Sequence, residues 1–376
     1  MKKAASDLDF MRQAIRLAQR GRGTTSPNPI VGAVLVKAGQ VIGRGWHRRA
    51  GGPHAEIEAL RDAERRGRSA RGATLYVSLE PCSTQGRTPP CATAIQVAGI
   101  RRVVAGATDP NPNHAGRGFA ILRKAGIKVT AGILADRCAE LNEAFNHWIV
   151  QRTPWVTVKA ALTLDGKIAT AAGASKWITG EAARTEAMQW RHRHDAILVG
   201  INTILADDPS LTMRAITGKR LPPKYPPLRR IVLDADARTP LKARVVSDAH
   251  ADATTVVVSK TAPARRVAAL ARRVRVLKAP ARQGKIDLPW LLRKLGAEEV
   301  TSLLVEGGGE VNASFLLGRL AHRIAFFYAP KILGGRTALK GVAGNGVGTW
   351  AEVLTLADVN WRQLGDDLLL TARVTA

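Results

Sequence analysis

The chain has 376 residues, of which 45% are apolar and 23% charged, so it is an ordinary globular chain and neither a disordered nor a fibrous one. At roughly 150 residues per domain this length predicts two domains, and the 5% aromatic content leaves the cores to Ala, Val, Leu and Ile. The 57 basic against 30 acidic residues give +27, a balance that raises nucleic acid as a partner. The basic residues are spread along the chain without aromatics between them to stack bases, so a solvated, arginine-rich surface around sites for small anions is the preferred reading.

Ser6 and Asp9 form a capping-box pattern ahead of Met11, Ala14, Ile15 and Ala18, one face of a helix that Gly21 ends. After Pro27-Asn28-Pro29, residues 30–36 and 41 onward read as a hairpin turning at Ala38-Gly39. Helical spacing follows over 54–66 and strand spacing over 74–79. A loop rich in Pro and Cys leads to a helix over 91–98, a strand over 102–108, a helix over 117–124 and a short strand over 128–132. A single helix over 136–149, with Glu140 and Glu143 on its exposed face, closes the half. This alternation predicts an α/β layer with a largely parallel sheet. The boundary is expected near Gln151-Arg152-Thr153-Pro154, giving domains 1–150 and 151–376.

In the second half strands are expected at 155–162, 196–200, 230–233, 254–259, 302–305 and 323–329. Helices fit 180–194, 288–295 and 311–320. The Pro-rich stretch 215–229 and the Gly-rich stretch 341–348 read as loops. No run approaches the roughly 18 apolar residues that cross a bilayer. Lys2 and Lys3 are followed by Ser6, Asp7 and Asp9 rather than by an apolar leader, so a cytoplasmic location is expected.

The chemistry is concentrated in His54-Ala55-Glu56, Pro81-Cys82 and Cys91. Three N/S ligands leave zinc a fourth position for water, and a glutamate beside the metal can shuttle the protons that deamination requires. His54, Cys82 and Cys91 are therefore the expected ligands and Glu56 the expected shuttle. Zinc deaminases usually close this signature with C-x-x-C, whereas here eight residues separate the cysteines. Four further histidines (His47, His114, His192, His194) read as packing or surface residues, and Cys138 as a buried thiol. In the second half the G-x-G-x-x-G fingerprint is absent, and Glu306-Gly307-Gly308-Gly309 alone is a weak phosphate-loop signal.

Thr24 to Gly32, Gly52-Pro53-His54-Ala55-Glu56, Glu80-Pro81-Cys82, Gly86-Arg87-Thr88-Pro89-Pro90-Cys91 and Asp109-Pro110-Asn111-Pro112 together resemble the bifunctional deaminase/reductases of riboflavin biosynthesis. So do Lys159 to Ala169, Trp177-Ile178-Thr179, Gly200 to Pro209, Leu211 to Arg214 and Ala329 to Gly335. The resemblance implies a cytidine-deaminase-like α/β/α domain followed by a dihydrofolate-reductase-like α/β domain. It implies zinc-dependent deamination of a diaminopyrimidinone carrying a phosphoribosylamino group, then reduction of the ribosyl group with NADPH. Asn28 would contact the pyrimidine. NADPH contacts would fall on Ala161, Trp177, Thr203, Asp207 and Gly308, and substrate contacts on Ser175, Arg191, Leu211, Arg214 and Glu306. Lys159 is expected near the hydride path, and Arg191 and Arg214 are expected to converge on the substrate phosphate. The pattern departs at Thr84, where members often carry a histidine. The expected partners are a small phosphorylated pyrimidine and further copies of the chain, with neither nucleic acid nor membrane. The rival reading is a basic nucleic-acid-binding protein with an editing-type zinc deaminase domain.

Overall fold

The computed structural model describes residues 5–84, 90–112, 114–214 and 227–375; the motif residues 86–89 and most of the Pro-rich stretch, 215–226, lie outside them. The chain divides into two compact units, Met1–Arg152 and Thr153–Ala376. No helix among the described residues is long and apolar enough to cross a membrane.

The first unit runs α1 (Asp7–Ala18), β1 (Gly32–Lys37), β2 (Gln40–Trp46), α2 (Ala55–Arg65), β3 (Thr74–Leu79), α3 (Cys91–Val97), β4 (Arg102–Ala107), α4 (Arg117–Lys124), β5 (Lys128–Thr130), α5 (Ala135–Leu141) and α6 (Glu143–Gln151). The capping box at Ser6 and Asp9 is formed. The hairpin turns where expected, with Ala38 and Gly39 both at positive φ. Its sheet, in the order β2-β1-β3-β4-β5, is mixed rather than largely parallel: β1 pairs antiparallel with β2 and β3, while β3, β4 and β5 run parallel. The hairpin dictates this, because two strands joined by so short a turn can only be antiparallel.

Strand alternation divides the core into two layers. Ala33, Leu35, Leu75, Val77 and Val103 face Ala59, Ala63, Ile95 and Leu122 of α2, α3 and α4. Val34, Val36, Tyr76 and Val104 face Met11, Ala14 and Ile15 of α1 and Cys138 of α5. Gly45 lets α2 lie against β2, since a Cβ there would stand 2.3 Å from the Ala55 carbonyl.

The helix expected over 136–149 is two helices broken at Asn142 (φ −118°, ψ 22°). The buried Asn142 amide clasps residue 30 from both sides: Oδ1 accepts the Ile30 N–H at 2.8 Å and Nδ2 donates to the Ile30 carbonyl at 3.0 Å. Satisfying a buried backbone pair outweighs one turn of continuous helix.

The second unit runs β6 (Trp155–Thr163), β7 (Lys167–Ala169), α7 (Glu181–Arg193), β8 (Ala196–Gly200), α8 (Ile201–Asp207), β9 (Arg229–Leu233), α9 (Arg244–Ser247), β10 (Thr254–Ser259), α10 (Ala264–Ala271), β11 (Arg275–Ala279), β12 (Ala281–Arg282), β13 (Lys285–Ile286), α11 (Leu288–Ala297), β14 (Ser302–Val305), α12 (Gly309–Leu316), β15 (Arg323–Ala329), β16 (Leu339–Lys340), β17 (Leu356–Leu364) and β18 (Asp367–Val374). Its main sheet has the order β11-β10-β9-β8-β14-β6-β15-β18-β17. The strands from β11 to β15 are parallel, and β18 and β17 add an antiparallel edge. All six expected strands lie in this sheet; β11 and the β17–β18 hairpin join them unforeseen. Helix α12 begins at Gly309, two residues earlier than its apolar spacing indicates, which makes Gly308 the N-cap. Apolar residues fill both faces, with Phe315 and Leu291 packed on one and Ala187 and Trp190 on the other.

Replacing Asn142 by Ala leaves the Ile30 N–H and carbonyl unpaired in the core. Asn142→Ala should destabilise the first unit by about 2–4 kcal/mol, measured by denaturant unfolding, with little change in the second unit's own transition.

Candidate active sites in the two units

In the first unit, three elements converge. Pro53 leads into His54, which stands at the N-cap of α2, so Glu56 falls in the first turn. Cys82 lies in the loop after β3, and Cys91, behind Pro90, is the first residue of α3. His54 Nδ1 is 3.3 Å from Cys91 Sγ and 3.5 Å from Cys82 Sγ, and the three ligand atoms lie within 4.8 Å of one another. Ligands at tetrahedral angles around zinc stand about 3.5–3.8 Å apart, so this donor set fits zinc with room for a fourth ligand. The Cys91 N–H at the start of α3 donates to Cys82 Sγ at 3.2 Å. The Cys82 thiol is held down, to about 4, by the Cys91 thiol's hydrogen bond and then by His54. Glu56 is buried, and burial pushes its carboxyl up to about 7 against the opposing pull of His54. A carboxyl poised near neutrality can both accept and deliver a proton.

Two polar residues of this site escaped the sequence reading. His47 is buried, the packing alternative of its two readings, with its ring edge-on to His54 at 5.4 Å. Its Nδ1 faces the Pro53 carbonyl at 3.0 Å and so must carry hydrogen, leaving Nε2 to accept from Asn28 Nδ2 at 3.2 Å. That bond fixes the Asn28 amide. The second residue is Glu80, whose carboxylate accepts the N–H groups of Asp109, Gly116 and Gly118 and so moors the Asp109-Pro110-Asn111-Pro112 loop. A lone His and a carboxylate after a strand give no pattern in sequence. Thr84 Oγ1 lies 3.4 Å from His114 Nδ1, and Cys138 is buried in α5, apart from the ligand cluster.

The second unit carries a cleft of about 600 Å³ at the carboxyl ends of its parallel strands, the usual place for a ligand in such sheets. Lys159 and Ala161 come from β6, Ser175 and Trp177 from the stretch before α7, and Thr203 and Asp207 from α8; all line it. Arg191, Leu211, Arg214, Glu306 and Gly308 line it too. Ser175 Oγ donates to Asp207 Oδ1 at 2.8 Å. A neighbouring lobe of about 290 Å³ runs along Gly200, Thr203, Gly308 and Gly309. A Cβ built on Gly308 would meet nothing within 4 Å, so the backbone there is open to a close-lying ligand. The two lobes and this bare turn fit an extended dinucleotide.

Arg191, expected beside Arg214 at the substrate phosphate, is engaged within the chain. Its Nε and Nη2 grip Glu306 Oε1 and Oε2, both at 2.9 Å, and its Nη1 donates to the Thr212 carbonyl at 2.8 Å. Lys159 Nζ is 3.4 Å from the same carboxylate. Burial alone would raise the Glu306 carboxyl, but Arg191 and Lys159 bring it down to about 2. A buried guanidinium needs an anion, and the chain supplies its own. Arg214 remains exposed at the cleft, joined by Arg244, which the sequence did not single out.

A family model described as the RibD C-terminal domain matches residues 154–370, and one described as the cytidine and deoxycytidylate deaminase zinc-binding region matches residues 4–107. The riboflavin biosynthesis protein RibD of Actinobacillus pleuropneumoniae is 42% identical over 98% of this chain and 95% of its own. The chain belongs to the RibD family. The RibD of Escherichia coli strain K12 is 41% identical over 86% of this chain and 88% of its own. The structure of Acinetobacter baumannii RibD in its form 1 matches with a TM-score of 0.87 at 37% identity, covering 98% of this chain and 99% of that one. A deaminase/reductase structure from Thermotoga maritima matches with a TM-score of 0.81 at 34% identity, covering 98% and 99%. Like the family, the chain is a bifunctional deaminase/reductase of riboflavin biosynthesis, with zinc in the first unit and NADPH in the second as its cofactors.

The donor set makes a direct prediction. Metal analysis should find one zinc per chain. Cys82→Ser and Cys91→Ser should each lower it, and Cys138→Ser should leave it unchanged. Loss of zinc from Cys138→Ser would remove the distinction between ligand and packing thiol.

Proposed function

We propose that the first unit deaminates a diaminohydroxyphosphoribosylaminopyrimidine and the second reduces the resulting 5-amino-6-(5-phosphoribosylamino)uracil, the two activities named for the Thermotoga maritima relative. The observation that carries the reading is the convergence of His54, Cys82 and Cys91 on one point, with Glu56 buried in the first turn behind His54. In this reading His54, Cys82 and Cys91 hold zinc, whose charge lowers the pKa of a water towards neutrality. Glu56 would accept the two protons of the attacking water in turn, passing one to the ring nitrogen and the other to the departing amine. Asn28, its Nδ2 committed to His47, offers Oδ1 to the pyrimidine.

In the second unit Ala161, Trp177, Thr203, Asp207 and the turn at Gly308 form the cofactor side of the cleft, and bound NADPH supplies the hydride. The acceptor is C1′ of the opened sugar, as its carbon–nitrogen double bond takes hydride at carbon and a proton at nitrogen. Ser175, Leu211 and Arg214 form the substrate side with Glu306, which Arg191 and Lys159 keep charged. Arg214 then grips the phosphate, and Arg191 acts by orienting Glu306.

Zinc-ligating thiols need a reducing compartment, which supports a cytoplasmic location. The edge strand β17 carries exposed Val359 and Trp361, and among the described residues no strand pairs with its outer side. An uncovered apolar edge of this kind supports self-association, and sedimentation velocity should find at least a dimer. The substrate is a small phosphorylated pyrimidine and not nucleic acid; gel retardation at about 150 mM salt should show no shift.

A crossed pair of variants tests the assignment. Glu56→Gln should keep its zinc, lose about 10²–10⁴-fold in deaminase rate, and retain reduction of preformed aminouracil. Arg214→Ala should deaminate normally but lose about 10–150-fold in reductase kcat/KM, as expected for a lost charge-assisted hydrogen bond. Near-normal deamination by Glu56→Gln would refute the first unit's assignment.

A further inference from the structure

Arg230 lies in β9 with its side chain 1% exposed, and it does not line the cleft. A guanidinium removed from water has five N–H donors to satisfy, and all five are used. Nε donates to Thr254 Oγ1 at 2.8 Å. Nη1 and Nη2 clasp Asp248 at 2.7 and 2.8 Å, and Nη2 also reaches the Val245 carbonyl at 3.1 Å. These bonds join β9 to α9 and β10. The fifth has another destination: Nη1 donates at 2.8 Å to the carbonyl of Ser210, in the loop that follows α8 and lines the cleft.

That loop is pinned at three points. Asp208 Oδ1 accepts the N–H of Arg244, the first residue of α9, at 2.8 Å. The Ser210 carbonyl is held by Arg230 and the Thr212 carbonyl by Arg191, each at 2.8 Å. Between the two held carbonyls Leu211 is turned to φ +51° with its side chain buried. Leucine adopts a left-handed backbone only where its surroundings impose it. Two buried arginines gripping the flanking carbonyls supply that imposition, and the turn sets the direction in which the chain leaves towards Arg214.

We propose that Arg230 is a positioning residue for the reductase substrate: clamped on Asp248, it fixes the Ser210 carbonyl, and with it the Leu211 turn and the stance of Arg214. This rests on the reading of Leu211 and Arg214 as the substrate side of the cleft. Arg230 touches no reactant, and its effect is transmitted through one carbonyl. The loop thereby takes its shape from the packing of β9, α9 and β10 rather than from the ligand.

The test uses the full chain and two variants. Arg230→Lys keeps a charge opposite Asp248, but an ammonium is a point donor and cannot reach Ser210, Thr254 and Val245 together. Asp248→Asn, at a side chain that is 24% exposed, loosens the clamp without emptying the core and serves where Arg230→Lys fails to fold. Asp287→Ala is the control: it removes the N-cap that accepts the Trp290 N–H of α11, destabilising the same unit away from the loop. Reductase kinetics are measured with NADPH and preformed aminouracil, with and without its 5′-phosphate. In the Arg230 and Asp248 variants KM for the phosphorylated substrate should rise at least about tenfold. Their preference for phosphate should collapse, while KM for NADPH stays at the wild-type value; Asp287→Ala should change neither. Variants that lose kcat in step with folded protein, yet keep the phosphate preference, would make Arg230 a scaffold residue and overturn the proposal alone. A wild type with no phosphate preference would overturn the substrate reading of the cleft, and this proposal with it.

Discussion

Glu306 follows β14 with little access to water, and an unpaired carboxylate in that position would be strongly disfavoured, so the surrounding cleft is built to keep its charge matched. The matching groups come from separate parts of the chain: Arg191 from α7 and Lys159 from β6. A third donor of Arg191 reaches the loop at the Thr212 carbonyl. One carboxylate thereby fixes a helix, two strands and a loop relative to one another. The ion pair is part of the lining of the cleft, together with the other groups expected there.

The deaminase site was legible because its chemistry is carried by short motifs at the starts of α2 and α3 and at the end of β3. Residues that must converge on a metal are conspicuous in sequence when each sits in a Pro-flanked turn, as His54, Cys82 and Cys91 do. His47 and Glu80 were not legible, because their partners are a carbonyl, an amide and the N–H groups of a loop some 30 residues away. The reductase cleft yielded to resemblance rather than to pattern. Its residues are scattered from Lys159 to Gly308, and the only local cue was a glycine turn. Even there the pairing of Arg191 with Glu306 was missed, since positions 115 residues apart carry no spacing signal.

The fold shows the same division. Strands with buried, β-branched residues were read correctly, whereas β17 is exposed along most of its length and lacks the one-sided alternation that marks a half-buried strand. The break between α5 and α6 escaped because its cause, the clasp on Ile30, spans 112 residues of sequence. Local periodicity records which face of an element is buried. It does not record a polar side chain recruited to satisfy a distant backbone.

Each unit closes its own apolar layers: the clusters around Leu75 and Met11 contain residues of the first unit alone, and those around Phe315, Val256 and Trp190 residues of the second alone. A packing defect in one of these clusters therefore falls among residues of its own unit. An allele dead in deamination and an allele dead in reduction, expressed side by side, should complement each other as long as each variant leaves its intact unit folded.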